Sequence, residues 1–413
     1  MSTVAAVPGL SLAEYARVIG QAEIDEIRLF ARHLAGKRVK MVNSTAVGGG
    51  VAEILNRMVP LLQDVGLPTR WDVITGGEEF FAATKAFHNA LHGAPYTRNQ
   101  KLLDVFLATN EENARRLSFD EEFVVIHDPQ PIGLVKRRHE KPAHWTWRCH
   151  IDLSHANRDV WEFLRPFVEL YDVSLFSSPA FTQGLPIPQL LFFPTIDPLA
   201  DKNKPLEPEY VRSVFDRFGI DMRRPVLTQV SRFDRLKDPV GVIQAYKLVR
   251  KHFDCQLVLA GGGASDDPEG AAVLAEVREA AGKDPNIFIL DLPPWSHTEI
   301  NALQRGSTIV IQKSLREGFG LTVSEALWKR KPVVASAVGG IPSQVIHKLT
   351  GMLVHSVEGC AYQIRYLLSN PAFARQIADN GHEHVKENFL ITTNLKRYLL
   401  LFSYLEHTRH SAT

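Results

Sequence analysis

Short apolar runs recur along this chain, and stretches with apolar residues at helical spacing separate them. No other feature restricts the fold as strongly. Continuous apolar strands alternating with helices belong to parallel sheets covered on both faces. In the first half the pattern predicts strands at 39–43, 123–127, 145–149, 173–176 and 189–193. The helical stretch after the first carries Val51, Ile54, Leu55, Met58, Val59 and Leu62 at helical spacing. In the second half the alternation is cleaner, with strands predicted at 226–230, 256–260, 287–290, 308–311 and 333–335. Between the halves, 194–208 (PTIDPLADKNKPLEP) is rich in proline and charge and is expected to be a linker. At 413 residues the chain exceeds one ordinary core. The expectation is an α/β protein of two facing Rossmann-like, doubly wound domains, at 1–205 and 206–387. The terminal helical stretch 388–413 is expected to pack back on the first. Ligands of such sheets bind beyond the carboxyl ends of the strands, here in the cleft between the domains.

Composition excludes several classes of function. The chain has 47 basic and 46 acidic residues, a net charge of +1. No global field recruits nucleic acid, so any anion must meet a local site. The cysteines, Cys149, Cys255 and Cys360, show neither metal nor redox spacing, and their odd number argues against a disulfide framework. A reducing cytoplasm fits best. No basic-then-apolar leader and no 18-residue apolar stretch is present, so neither a signal peptide nor a membrane span is expected. The 16 histidines include no pair at convincing metal spacing, and no metal site is expected.

Four segments carry candidate chemistry. In the first, 314–336 (SLREGFGLTVSEALWKRKPVVAS), a strand ends, a loop holds Glu317, Gly318, Phe319 and Gly320, and a helix begins near Gly320. Glycines admit close approach of a ligand to the backbone, and a helix start offers unpaired N–H groups to an anion. Glu325 lies five residues into the helix, about 7.5 Å along its axis. Two carboxylates so placed suit hydroxyls at the two ends of a sugar nucleotide, and they also suit a plain loop and a solvated helix. Glu325, flanked by Ala326 and Leu327, needs a partner if buried. In the second, Arg232 and Lys237 follow the strand at 226–230, where a fork and a point charge can converge on a diphosphate. A surface loop of mixed charge is the alternative. The third is Asn43 to Val47 and then Gly48, Gly49 and Gly50, between the first strand and helix, either a flexible turn or a close approach to phosphate or sugar. The fourth is His150 at the end of the strand at 145–149, with His127 and Asp128 at another strand end and His88 and Asn89 on a helix. Each histidine is a candidate for a sugar hydroxyl or for a structural hydrogen bond.

Taken together these blocks resemble glycosyltransferase family 4, of the GT-B fold. The signature is two glutamates spaced as Glu317 and Glu325, then a strand and Gly339-Gly340-Ile341-Pro342. Arg232 and Lys237 match the family's donor-phosphate pair. VNSTAVGGGVAEILNRMVPLL, KAFHNALHG, VVIHDPQP and WRCHIDLS are similar to the trehalose glycosyltransferring synthases and the retaining trehalose phosphorylases. A charged Lys313 before Ser314 is the one departure noted.

The resemblance implies the roles. Arg232 and Lys237 would bind the donor phosphates, with the loop Gly318, Phe319 and Gly320 beside them. Glu317 would hold donor-sugar hydroxyls, Glu325 the ribose, and His150 the sugar's 6-hydroxyl. Gly48, Gly49 and Gly50 would close over phosphates or acceptor, and Asn43, His88, Asn89, His127 and Asp128 would face the acceptor. The implied catalytic set is Glu317, His150, Arg232 and Lys237. The implied reaction joins NDP-glucose (ADP- or UDP-glucose) and glucose into α,α-trehalose and NDP with retention, without an obligatory cofactor. A phosphorylase using glucose 1-phosphate, and a sugar-nucleotide sensor without turnover, are the rivals. The expected partners are NDP-glucose, glucose and trehalose, with a homodimer left open.

Overall fold

A computed structural model describes residues 10–46, 50–262 and 268–410. Gly48 and Gly49 lie outside these, and Gly50 opens the helix Gly50–Asp64 as an exposed residue. The chain forms two compact units, Met1–Thr195 with Ile391–Thr413, and Ile196–Leu390.

The first unit holds β1 (Val39–Asn43), β2 (Thr69–Val73), β3 (Phe123–His127), β4 (His144–Arg148), β5 (Val173–Phe176) and β6 (Gln189–Leu191). The second holds β7 (Val226–Val230), β8 (Gln256–Gly261), β9 (Ile287–Asp291), β10 (Ile309–Gln312), β11 (Val333–Ser336) and β12 (Met352–Val354). Their spatial orders are β2-β1-β3-β4-β5-β6 and β12-β11-β10-β7-β8-β9, and the paired strands are parallel throughout. In each sheet the strand order turns back once, between β1 and β3 and between β10 and β7. At such a switch the loops on either side diverge and leave a crevice at the carboxyl edge.

Ten of the twelve strands stand where the apolar runs predicted them, with ends shifted by no more than two residues. The other two, β2 and β12, are edge strands. β2 reads TRWDV and exposes Arg70, so it lacks the apolar continuity of an interior strand. Its Asp72 is nonetheless buried, because Lys40 of β1, fully buried, pairs with it at 2.8 Å. A buried lysine in a central strand needs that counter-charge.

Of the segment 194–208, expected to be a linker, the residues from Ile196 on belong to the second unit. Ile196 N–H donates to Phe389 O at 2.9 Å, and Asn301 Nδ2 donates to Asp201 O at 2.8 Å and Lys204 O at 2.9 Å. Arg305 donates to Asn203 O, and Lys329 Nζ to Asn203 Oδ1 at 3.0 Å. These bonds build the segment into the second unit, so the chain passes between units at 195/196 rather than 205/206. Proline and charge signalled irregular backbone here without revealing that its carbonyls are satisfied by that unit. The return passage is at 390/391, and the helix Ile391–His410 belongs to the first unit, where Phe402 stacks on Phe123 with centroids 4.5 Å apart.

Candidate active site

In the second unit the loops after β7 and β10 flank the switch point and are tied together across it. Lys237 Nζ donates to Glu317 Oε2 at 2.6 Å, with both side chains largely buried. Leu315 N–H donates to Leu236 O at 2.8 Å, and Lys313 Nζ pairs with Asp238. Local chemistry sets each member. Gln229, the fourth residue of β7, donates to Lys237 O at 2.7 Å. Asp234 caps the short 3-10 turn Arg235–Lys237 through Leu236 N–H. Asp238, left-handed at φ 48°, caps the helix Pro239–Arg250 by accepting from Gly241 N–H at 3.0 Å. On the other side, Gln312 Nε2 donates to Ser314 Oγ at 3.0 Å, and Ser314 Oγ to Glu317 Oε2 at 3.2 Å. Lys313, which looked like a departure from pattern, is one of the ties; its partner at the N-cap two residues before Val240 was the signal to look for.

Gly320, at φ 81°, opens the helix Leu321–Trp328, so the N–H groups of its first turn follow the Glu317 loop directly, with Val323 N–H donating to Gly320 O at 2.9 Å. Glu325 is buried in that helix, and so is Lys329 just past its end, whose ammonium bonds Gln304 Oε1 at 2.8 Å and Glu325 O at 3.1 Å. Burial lowers the Lys329 ammonium below its ordinary value, against the pull of Glu325. Arg232 is more exposed and lies 3.3 Å from Asp234. The Gly-Gly-Ile-Pro turn explains itself sterically. Gly339 sits at φ 55°, and a Cβ there would stand 1.5 Å from Glu317 O. The turn lies backbone to backbone on the glutamate loop, and Gly340 N–H donates to Gly318 O at 3.1 Å.

In the first unit the structure brings His127, Asp128 and His150 together at the carboxyl ends of β3 and β4. His127 Nδ1 and His150 Nε2 are 3.1 Å apart, with the ring centroids 5.4 Å and the ring planes 17° apart, so the rings meet edge to edge. Asp128, left-handed at φ 64°, accepts from the His150 backbone N–H at 2.7 Å. Arg148, buried below them in the register, bonds Ser177 Oγ at 3.1 Å and Cys149 O at 3.3 Å; apolar patterning gave no signal of it. Burial, then the Arg148 charge, hold His127 down at about 3 and His150 far below its ordinary value, so both rings are neutral. Burial raises Asp128 to about 6, against the His150 amide and Arg148. Asn43 is committed to the protein: Nδ2 donates to Thr45 O at 2.7 Å, and Oδ1 accepts from Trp71 Nε1 at 2.8 Å. His88 meets His92 edge-on with centroids 4.7 Å apart on the helix Glu78–Leu91, and Asn89 beside it is exposed.

Two family models match the chain: "Trehalose synthase, N-terminal domain" over residues 41–183 and "Glycosyl transferases group 1" over 212–384. The trehalose synthase of Pyrococcus horikoshii is 42% identical over 398 residues, 94% of this chain and 95% of that protein. That of Rubrobacter xylanophilus is 43% identical over 405 residues, 96% of this chain and 97% of the relative. The chain belongs to the trehalose synthase family of glycosyltransferases. The trehalose phosphorylase of Pleurotus pulmonarius is more distant, 30% identical, and the match spans 60% of its length. Among solved structures, an α,α-trehalose-phosphate synthase (UDP-forming) from Burkholderia vietnamiensis superposes with a TM-score of 0.71 over 90% of this chain and 100% of that one, at 15% identity. A sucrose-phosphate synthase from Thermosynechococcus elongatus gives 0.69 over 91% and 100%, at 17% identity. The fold of this trehalose synthase family member is therefore GT-B.

Two outcomes follow from this geometry. Gly339→Ala forces the glutamate loop or its own turn to move. It is expected to lower kcat/KM at least about 10-fold, a change of about 1.4 kcal/mol. Gly219→Ala, at φ 71° with open space around it, serves as the control and leaves kinetics unchanged. The second concerns Asp128. Its folded value of about 6 lies above the ordinary 3.8, so the stability it contributes is complete below 3.8 and lost as pH rises through about 6. Asp128→Asn keeps the acceptor for His150 N–H, tolerates the left-handed backbone and cannot ionise. Denaturant unfolding should show it more stable than the parent at pH 8, on the order of 2–3 kcal/mol, with the gain vanishing near pH 4.

Proposed function

We propose that this protein is a retaining glycosyltransferase that transfers glucose from a nucleoside diphosphate glucose to glucose, giving α,α-trehalose and NDP, reversibly. The observation that carries the reading is the Lys237–Glu317 pair across the β7/β10 switch point, beside Arg232 and the start of the helix Leu321–Trp328. Identity of 42–43% over nearly the whole chain to proteins named trehalose synthase supports the substrate.

The second unit takes the donor. Lys237 exchanges its carboxylate partner for a diphosphate oxygen, because a group carrying more negative charge outcompetes a single carboxylate for the ammonium. Arg232 adds a fork on the same group, and the helix N–H groups add partial positive charge. Glu317, released, accepts hydrogen bonds from donor-sugar hydroxyls, and Glu325 accepts from the ribose. The first unit supplies His150 to the sugar's 6-hydroxyl and Gly49 and Gly50 to the donor, with Gly48, His88, Asn89 and Asp128 as the candidates that face the acceptor.

The chemistry is a front-face substitution. The bond from the anomeric carbon to the phosphate oxygen breaks, and the acceptor oxygen bonds to that carbon on the same face. The acceptor's proton passes to the departing phosphate oxygen. No protein nucleophile is used, and the cations stabilise the charge that develops on the diphosphate. The deciding experiment offers the protein ADP-, UDP- or GDP-glucose with glucose and, in reverse, trehalose with NDP or with inorganic phosphate. The expected products are α,α-trehalose forward and NDP-glucose in reverse. Glucose 1-phosphate from trehalose and phosphate alone would make it a phosphorylase; binding of NDP without any product would make it a sensor.

A further inference from the structure

The contact between His127 and His150 fixes where each ring keeps its proton. Both rings are neutral, so each carries one proton, and one of the two nitrogens 3.1 Å apart must donate to the other. If His150 Nε2 donated, the proton of His127 would sit on Nε2. That atom is buried away from solvent and meets no hydrogen-bond partner among the described residues, and His127 itself is 1% exposed. A buried N–H without an acceptor is the rarer and costlier defect; an unused lone pair is better tolerated. Arg148 is the register partner of His127 on β4, so its side chain shares that face of the sheet, and its charge favours a lone pair over the positive end of an N–H dipole.

We infer that His127 donates through Nδ1 to His150 Nε2 and thereby fixes His150 as the Nδ1–H tautomer, a hydrogen-bond donor toward substrate. His150 is half-buried, its Nε2 is occupied, and its backbone N–H is held by Asp128, so Nδ1–H is the group with which the ring meets a ligand. The inference rests on the reading of His150 as a sugar contact. It makes His127 a positioning residue that acts through His150. It also gives His150 a defined chemistry: it donates to a hydroxyl oxygen and cannot take a proton from the acceptor through Nε2. Unconstrained neutral imidazole is free to choose either tautomer, so the contact removes the choice before substrate arrives.

The test is long-range proton–nitrogen NMR on the full chain labelled with ¹⁵N-histidine, with His127 and His150 assigned from the spectra of His127→Asn and His150→Ala. The wild-type protein at neutral pH is expected to carry the proton of both rings on Nδ1. His127→Phe should release His150 into a tautomer mixture and lower kcat about 10-fold, the worth of one directed hydrogen bond. His127→Asn, whose amide can stand where Nδ1 stands and donate, should restore the His150 Nδ1–H signal and most of kcat. A proton on Nε2 of either ring in the wild-type protein overturns the inference, whether or not His127→Phe folds. So does a His150 tautomer that is unchanged in His127→Phe. If His150→Ala turns over as fast as the parent, the sugar-contact reading fails, while the tautomer spectrum of the unliganded protein still decides the present claim.

Discussion

The second unit is organised around one ion pair. Lys237 and Glu317 come from loops on opposite sides of the crevice where the sheet order turns back, and they meet at 2.6 Å. Either charge left alone at that depth would carry a desolvation cost that its partner now offsets. Much of the neighbouring structure serves this contact: Gln229 and Asp234 fix the lysine's turn, and Ser314 holds the glutamate's oxygen. Lys313 with Asp238 makes a second tie from strand end to helix cap. A site that binds an anion must keep cations poised without letting them repel one another or fold back at random. Pairing the lysine with a carboxylate that itself has a use in the site meets both needs.

The first unit solves a different problem, presenting neutral polar groups beside a buried guanidinium. Arg148 is 2% exposed, and its bonds run to carbonyl and hydroxyl oxygens, so its charge is left to act on the strand-end groups above it. The two histidines are held neutral by it and by burial, while Asp128, in a left-handed conformation, turns its carboxylate back onto the His150 amide. Neutral imidazoles and a conformationally locked strand end suit the recognition of hydroxyl groups, whose hydrogen bonds depend on direction more than on charge.

The sequence was most legible where one physical rule acted alone. Interior parallel strands must be apolar on both faces, so all eight of them showed as runs; of the four edge strands β6 and β9 did as well, while β2 and β12 did not. Arg232, Lys237 and Glu317 were singled out because they follow strand ends at the carboxyl edge, where ligands of parallel sheets bind, and the structure joins Lys237 to Glu317. What the sequence hid were pairings over long separations. Nothing in a linear pattern joins Lys237 to Glu317, 80 positions away, or Lys40 to Asp72. The backbone satisfaction that built 196–208 into the second unit was invisible for the same reason. Asn43 illustrates the converse: it stands at a promising strand end, yet Trp71 and Thr45 use both ends of its amide.

The central claim is that Lys237 leaves Glu317 for the diphosphate of the donor. Calorimetric titration of UDP and ADP into the parent protein, Lys237→Gln and Glu317→Gln tests it most directly. The account predicts that Lys237→Gln weakens binding about 10-fold or more, the loss of one charge-assisted hydrogen bond. It predicts that Glu317→Gln binds the diphosphate at least as tightly as the parent, because the lysine no longer has a competing partner and the anion no longer faces a carboxylate. Equal weakening by both substitutions would contradict it, and would make the pair a structural clamp that the ligand never opens.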